Sequence, residues 1–381
     1  MNRLAFLLSL LIGCSPALAR EAATWAPLER GLEIERPGGK SAERMDLKAA
    51  MKALKVPSLS VALIDEGRIS YAHAWGEATP QTLYQAASLS KIVAAVAALR
   101  IAELGALDLD RSVNDDEFIW RAPENDLTAG HPVTLRNLLS MTAGLNVPGY
   151  QGYEPGALLP TLPQILNGEP PSNSPAVEVV ERPDTVFAYS GGGFEVVQAL
   201  IETKTRAPFA QAAPELVFRQ IGLKDSVFAQ PPDDSMKRRI ALGHNAAGQK
   251  LPGGWRVMPE LAAGGLWSTP SDMARLIIEI SRAARGERSA LMGTHAAAEM
   301  LTPQNHGPYG LGLRISGTGE VFAVEKRGQN PGYQSYLLLF PQTGQGIVAM
   351  SNSDNGSTLI AALIRRAAEA YGWPAVGELG D

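Results

Sequence analysis

The sequence predicts a mixed α/β domain in which one antiparallel sheet, flanked by helices, is assembled from segments at both ends of the chain. Three observations indicate this class. Strand patterns occur near the N terminus and again in the C-terminal third, a strongly apolar helix follows the first strands, and residues from about 118 to 252 carry frequent proline and glycine with only short helical patterns. Strands on either side of such a segment favour a single sheet with a mostly helical subdomain inserted into it.

The N-terminal part is predicted to contain a hairpin and two helices. Residues 59–64 and 69–75 are rich in β-forming side chains and flank the turn-forming Asp65-Glu66-Gly67, which indicates the hairpin. Apolar residues at helical spacing predict a helix over 43–54. The strongest helical pattern covers 88–104, and because it is apolar around nearly its whole circumference we expect this helix to be buried.

The rest of the chain is predicted to hold short helices and a second group of strands. Four further helices are predicted, at 135–139, 193–204, 272–284 and 357–371. Thr269 and Pro270 provide N-cap and first-turn signals for the third of these helices. Four strands are predicted in the C-terminal third, at 311–315, 320–326, 334–340 and 346–350.

The N terminus has the pattern of a secretory signal peptide. Arg3 supplies a positive charge, a short apolar core follows, and Ala17-Leu18-Ala19 reads as the cleavage site. We therefore predict a signal peptide at 1–19, a linker at 20–40 and one domain at 41–381, in a protein that is exported to the periplasm.

A second processing route involves Cys14. Leu11-Ile12-Gly13-Cys14 resembles the lipobox of bacterial lipoproteins, in which the cysteine is lipidated and anchors the protein to a membrane. The site at Ala17-Leu18-Ala19 follows a helix breaker and favours simple secretion, but the anchored form stays open as the alternative.

Composition and charge exclude several classes of function. The chain has a formal net charge of -5 and no block of basic residues. A nucleic-acid partner is not expected, because such proteins need a face rich in lysine and arginine. No apolar run reaches the length that spans a bilayer. Cys14 is the only cysteine, so we expect no disulfide, cysteine nucleophile or thiolate metal site in the domain.

Ser88 and Lys91 form the first candidate catalytic pair. They belong to the only Ser-x-x-Lys of the chain and lie where a strand-and-loop region gives way to the apolar helix. Residues three apart share a helix face, so the two side chains can be in hydrogen-bond contact. The N terminus of a helix favours developing negative charge, and a buried lysine loses proton affinity. This pattern predicts a serine nucleophile with a lysine base.

Two further motifs follow in a characteristic order. Tyr189-Ser190-Gly191 precedes a predicted helix, and Lys326-Arg327-Gly328 ends a predicted strand. The succession Ser-x-x-Lys, Tyr-x-(polar or small) and Lys-x-Gly resembles the serine β-lactamases and penicillin-binding proteins. It is most similar to the branch that holds class C β-lactamases, DD-peptidases, D-amino-acid peptidases and related esterases.

The resemblance covers residues 47–371. It includes four more matching segments, at 135–145, 264–274, 328–333 and 351–356. It implies the fold predicted above and the hydrolysis of an amide or ester bond through an acyl-serine intermediate. It also implies a small-molecule or short-peptide substrate and neither a metal nor another cofactor.

The resemblance further implies roles for individual residues. Ser88 attacks a carbonyl carbon, while Lys91 and Tyr189 share the proton transfers. Lys326 keeps the site electropositive and helps to hold a substrate carboxylate. The backbone N–H groups of Ser88 and Gln329 form the oxyanion hole.

Glycines occupy two positions of the implied substrate-binding part, Gly191 and Gly328. Gly191 stands where the family commonly has an asparagine that contacts the substrate amide, which puts recognition of β-lactams and peptides in doubt. Met141 stands where a histidine is common, and we interpret this as a change in packing.

Other classes of hydrolase lack their motifs here. The chain has no Gly-x-Ser-x-Gly nucleophile elbow, no His-Glu-x-x-His and no His-x-His. A non-hydrolysing β-lactam or peptide sensor on the same fold is the alternative, although the retained proton-transfer residues favour turnover. The substrate stays open among β-lactams, D-Ala-terminated peptides, other short peptides and small esters.

Overall fold

The strands of the protein gather in one large sheet and two short ribbons. The computed structural model describes residues 25–35, 42–318 and 321–374. Within these ranges the strands are β1 (Leu32–Ile34), β2 (Glu43–Met45), β3 (Ser58–Asp65), β4 (Arg68–Gly76), β5 (Tyr84–Gln85), β6 (Trp267–Ser268), β7 (Arg314–Thr318), β8 (Val321–Asn330), β9 (Tyr333–Phe340) and β10 (Gln345–Ser351).

The helices lie mainly between the two groups of strands. They are α1 (Leu47–Ala53), α2 (Ser90–Glu103), α3 (Leu135–Leu139), α4 (Leu162–Asn167), α5 (Gly191–Thr205), α6 (Phe209–Ala213), α7 (Arg219–Ile221), α8 (Asp234–Lys237), α9 (Leu261–Gly264), α10 (Pro270–Ala284), α11 (Thr294–Met300) and α12 (Gly356–Tyr371). Short 3-10 turns lie at Ala26–Glu29, Ala87–Leu89, Val113–Asp115 and Pro252–Gly254, and a π-turn lies at Pro214–Phe218.

The large sheet joins both ends of the chain. Its six strands run in the order β4-β3-β10-β9-β8-β7, and every neighbouring pair is antiparallel. The junction is the pairing of β3 with β10, in which Val61 lies opposite Ala349. The central strands β9 and β10 are buried along their whole length, as expected for a sheet covered on both faces. The prediction of one antiparallel sheet built from both termini is confirmed.

Helices cover both faces of this sheet. On one face α12 packs against β9 and β10, and α1 lies in the same apolar cluster. On the other face α10 packs against β3 and β10, while α2 lies deeper and contacts α5 and α9. Every residue of α2 from Ser90 to Leu99 is buried, as its apolar circumference predicts. In the described ranges, no helix combines the length and the apolar character that crossing a bilayer requires.

Local sequence signals explain most of the element boundaries. Helix α10 begins at Pro270, and the Thr269 side chain accepts a hydrogen bond from the Asp272 N–H group at 3.3 Å, as predicted from the cap signals. The turn between β3 and β4 uses left-handed conformations at Glu66 and Gly67, with φ of 49° and 67°. Such a turn matches the twist of the flanking strands.

Three predicted boundaries are corrected by the structure. The helix predicted over 43–54 starts only at Leu47, because Asp46 caps it and the preceding residues form β2. The strand predicted over 311–315 is displaced to Arg314–Thr318, since Gly312 has a left-handed φ of 89° that interrupts extended backbone. The strand predicted over 320–326 continues to Asn330.

Part of the predicted linker packs onto the domain. Within residues 25–35, Leu28, Leu32 and Ile34 are fully buried, and β1 pairs with β2. The apolar alternation of a three-residue strand is too short to stand out in the sequence, which therefore indicates only a linker here. The predicted signal peptide and Cys14 lie outside the described residues.

Candidate active site

Ser88 lies in a tight turn at the start of the buried helix. The 3-10 turn Ala87–Leu89 precedes α2, and its first residue has a left-handed φ of 51°. The turn packs against β8 at Gly328, where a Cβ would overlap the Ala86 carbonyl oxygen and Ser335 Oγ. Ser335 Oγ donates a hydrogen bond to that same carbonyl at 2.8 Å. Gly328 therefore allows β8 to approach the turn that carries the serine.

Lys91 lies in the first turn of α2 and points back to Ser88. Its Nζ donates hydrogen bonds to Ser88 Oγ at 3.2 Å and to the Ala263 carbonyl oxygen at 2.7 Å. The side chain is only 2% exposed. Burial lowers the pKa of the Lys91 amine, an effect that the neighbouring Tyr189 opposes. A lysine in this state is present as the neutral amine, the form that can act as a base, in a larger fraction than an exposed lysine.

Tyr189 completes the surroundings of the serine hydroxyl. It immediately precedes Ser190, the N-cap of α5, and its Oη lies 3.0 Å from Ser88 Oγ. Burial alone would raise the pKa of Tyr189, but the ammonium groups of Lys326 and Lys91 outweigh it and lower this pKa to about 7. The phenol can therefore change its protonation state near neutral pH.

Lys326 stands behind Tyr189, on strand β8. Its Nζ lies 3.3 Å from Tyr189 Oη and 3.0 Å from Tyr309 Oη, and the side chain is 1% exposed. Burial would lower the pKa of Lys326, but the two phenol groups reverse this and raise it. Lys326 therefore stays a stable cation beside Tyr189.

Tyr309 is a site residue that the sequence analysis missed. Besides its hydrogen bond with Lys326, its ring stacks on Phe187 with the ring centres 5.2 Å apart. It lies between helix α11 and strand β7 without a periodic pattern. The only available signal was an aromatic residue next to the glycine at Gly310.

A cleft of about 930 Å³ opens onto this group. The cleft is lined by Ser88, Lys91, Pro148, Gly149, Tyr150, Gln151, Phe187, Tyr189, Met258, Ala263, Gly264, Tyr309, Arg327, Gln329, Asn330, Pro331 and Asp354. The predicted oxyanion residues Ser88 and Gln329 thus face the same space. The role of their N–H groups stays a prediction.

Gly191 does not have the position expected of a substrate contact. It is buried as the first residue of α5, and its N–H group bonds to the Pro148 carbonyl oxygen at 3.2 Å. A Cβ built on Gly191 would lie 3.3 Å from Tyr150 Cε2. Tyr150, rather than Gly191, borders the cleft here. The loop at Pro148–Tyr150 covers the place that a side chain at 191 would enter.

Met141 contributes to the position of Tyr189. Its sulfur accepts a hydrogen bond from the Ser190 N–H group at 3.4 Å, and its carbonyl oxygen accepts one from Ala188 at 2.8 Å. Both donors flank Tyr189, and Met141 itself is buried. The contacts agree with the interpretation of Met141 as a packing residue.

In the portion of the chain that the structure describes, no group of three or more histidine, cysteine, aspartate and glutamate side chains is arranged to hold a metal ion.

Solved structures with the same arrangement of helices and sheet are known. A penicillin-binding protein homologue from Pyrococcus abyssi superimposes with a TM-score of 0.68 at 22% identity, over 85% of this chain and 77% of the other. The D-amino acid amidase of Ochrobactrum anthropi superimposes with a TM-score of 0.66 at 20% identity, over 85% of this chain and 99% of the other. These similarities show that the protein has the β-lactamase and transpeptidase fold.

Sequence relatives of known name include enzymes. The Escherichia coli protein named D-alanyl-D-alanine-carboxypeptidase/endopeptidase AmpH is 23% identical over 277 residues, which cover 68% of each chain. A β-lactamase of Providencia stuartii is 23% identical over 352 residues, covering 80% of this chain and 85% of the relative. The sequence profile described as Beta-lactamase matches residues 45–371, and the chain therefore belongs to the Beta-lactamase family.

Proposed function

We propose that the protein hydrolyses an ester or amide bond through an acyl intermediate on Ser88. One observation carries this proposal: Ser88 Oγ lies 3.2 Å from Lys91 Nζ and 3.0 Å from Tyr189 Oη, at the floor of an open cleft. A serine hydroxyl becomes a nucleophile when a base takes its proton during attack. Two candidate bases in hydrogen-bond contact with one hydroxyl meet that need.

The proton transfers follow from the charges around Tyr189. In the first half-reaction, Ser88 Oγ attacks the substrate carbonyl carbon, its proton passes to Tyr189 or Lys91, and the leaving group departs with that proton. In the second half-reaction, water loses a proton to the same base and attacks the acyl carbon. The bond between the acyl carbon and Ser88 Oγ then breaks, and the base returns the proton to Ser88 Oγ. Lys326 stays cationic throughout and stabilises the phenolate form of Tyr189.

The substrate we propose is a small ester or a short peptide-like amide. A cleft of about 930 Å³ has the size that commonly encloses a small molecule. The named relatives act on amide bonds or β-lactams, which supports acyl transfer. The glycine at 191 and the covering loop remove the side-chain amide that the family usually presents. Loss of such a contact weakens amide recognition by about tenfold at most, so we expect activated esters to react faster than penicillins or D-Ala-D-Ala peptides.

Intact mass spectrometry over time tests the proposal. The purified protein is mixed with a p-nitrophenyl ester, a D-Ala-D-Ala peptide and a cephalosporin, with Ser88→Ala as the matched control. We expect a transient mass increase and release of product in the wild type, and neither in the variant. An adduct that persists without product would indicate a sensor, and equal turnover by Ser88→Ala would place the nucleophile elsewhere.

A further inference from the structure

Behind Lys91, the short helix α9 is held by side chains of α5. Glu195 Oε1 accepts a hydrogen bond from the Ala263 N–H group at 3.1 Å, and Gln198 Oε1 accepts one from Ala262 at 3.0 Å. The Ala263 carbonyl oxygen is the group that receives Lys91 Nζ at 2.7 Å. A continuous series of contacts thus leads from Glu195 through Ala263 and Lys91 to Ser88.

The opposite side of α9 is also fixed. Asn330 Nδ2 donates a hydrogen bond to the Gly264 carbonyl oxygen at 3.0 Å and another to Gln85 Oε1 at 2.7 Å. The backbone on which Lys91 depends is therefore held from α5 on one side and from β8 on the other. Among the side-chain hydrogen bonds from α5 and β8 to α9 described above, only the bond from Glu195 is made to Ala263.

A glutamate is an unusual residue at a fully buried position such as 195, where an apolar side chain would fill the space equally well. Glu195 is fully buried, and so is Glu260, which lies near it. Burial first, and then the neighbouring Glu260, raise the pKa of Glu195 well above its ordinary value, while burial raises the pKa of Glu260 to about 7. Burying a carboxyl group is costly, and an apolar residue of the same size avoids that cost. Such a residue cannot, however, accept the hydrogen bond from Ala263.

We propose that Glu195 is a positioning residue for Lys91. By accepting the Ala263 N–H group it fixes the Ala263 carbonyl, and that carbonyl holds the lysine amine against Ser88. The inference deepens the proposed function and rests on it, because it assigns Lys91 a part in activating the serine. Small displacements of such a group reduce rates strongly, since proton transfer depends on hydrogen-bond geometry.

Three variants of the full chain test this role. Glu195→Gln keeps an oxygen that can accept from Ala263, Glu195→Ala removes it, and Gln198→Ala removes the neighbouring bond to Ala262 as the matched control. We expect Glu195→Ala to lower kcat for a p-nitrophenyl ester about 10- to 100-fold with little change in KM. Glu195→Gln should stay close to wild type, and Gln198→Ala should lose thermal stability but little kcat. If Glu195→Ala does not fold, Glu195→Asp, which withdraws the carboxyl group by one methylene, replaces it.

A second readout separates this inference from the proposed function. A fluorophosphonate probe phosphonylates an activated serine once and needs no turnover, and intact mass gives its rate. If the wild type labels at Ser88 but turns over no ester or amide, the proposed function is wrong, and the labelling rates still decide the role of Glu195. Equal losses of rate in Glu195→Ala and Gln198→Ala, or a Glu195→Gln variant as slow as Glu195→Ala, would overturn the positioning role.

Discussion

The Lys326 ammonium group lies 3.3 Å from the Tyr189 hydroxyl oxygen and 4.7 Å from the centre of its ring. This cation, together with Lys91, lowers the pKa of Tyr189 to about 7 against the opposing effect of burial. The pKa of Tyr189 therefore depends on a lysine that lies 137 residues further along the sequence, on strand β8. The consequences of this dependence can be measured directly.

The first prediction concerns pH dependence. If Tyr189 acts as a base, its deprotonated form is the active one, so kcat/KM should rise with pH through a midpoint near 7 and then level off. Removing the Lys326 charge leaves burial opposed mainly by Lys91 and should move the midpoint to higher pH. A pH profile of ester hydrolysis for wild type and Lys326→Met checks this. An unchanged midpoint in the variant would contradict it.

The second prediction concerns Ser88 and Lys91. Their side chains are in contact at 3.2 Å, and residues that act as a unit show strongly non-additive losses. Lys91→Ala should reduce kcat by about 10²- to 10⁴-fold, and the double variant should be scarcely slower than Ser88→Ala. Kinetics of the four proteins on one ester, with circular dichroism as a folding control, decide the matter. If the losses of kcat in the two single variants multiply in the double variant, Lys91 has only a structural role.

The third prediction concerns Tyr309. Tyr309→Phe removes the hydroxyl group that Lys326 contacts at 3.0 Å but keeps the ring that stacks on Phe187. We expect kcat to fall about three- to tenfold, the range of one hydrogen bond. Tyr153→Phe is the matched control, because Tyr153 Oη also accepts a hydrogen bond, from the Asn173 N–H group at 2.9 Å, but does not line the cleft. A similar fall in both variants would count against a role for Tyr309 in the site.

The parts of the fold that the sequence predicted are those with a local cause. The hairpin of β3 and β4 follows from two runs of β-forming residues on either side of the turn at Gly67, and α10 follows from its cap signals at Thr269 and Pro270. The pairing of β1 with β2 was missed because each strand has three residues, which is too few for a period to be visible. Elements that are long enough to show a period were therefore predicted, whereas these two three-residue strands were not.

The candidate site divides in the same way. Ser88, Lys91, Tyr189 and Lys326 were found because each belongs to a short motif, and the structure brings all four together. Their distances from one another in sequence gave no indication of the residues that support them. Glu195 acts across 68 residues of sequence on Ala263, and nothing in its local pattern distinguishes it from a residue inside an ordinary helix. Contacts of this kind depend on tertiary packing alone.

The fourth prediction concerns stability at Gly328. A Cβ at this position would overlap the Ala86 carbonyl oxygen, which is backbone and cannot move away alone. Gly328→Ala should therefore destabilise the protein by about 1–3 kcal/mol, the usual range for overpacking, and should lower activity by displacing the turn that carries Ser88. Denaturant unfolding measures the first effect. Gly149→Ala is the stability control, since nothing lies within 4 Å of a Cβ built there. Equal stability of the two variants would show that β8 can move away from Ala86 far enough to accommodate the added methyl group.

The last prediction concerns specificity at Gly191. Atoms of Pro148, Gly149 and Tyr150 lie 3.2–3.3 Å from a Cβ built on Gly191, so Gly191→Asn alone should displace this loop and lower all activities. Removing the covering ring in Gly191→Asn/Tyr150→Ala should give the amide side chain access to the cleft. We expect the ratio of amide to ester kcat/KM to be up to about tenfold higher in the double variant than in Tyr150→Ala alone. The reason is that the double variant regains one neutral hydrogen bond to the amide. The ratio of amide to ester kcat/KM within each variant is the measurement, since it cancels losses from imperfect folding. An unchanged ratio, or a wild type that already prefers cephalosporins over esters, would show that the glycine does not determine the choice of substrate.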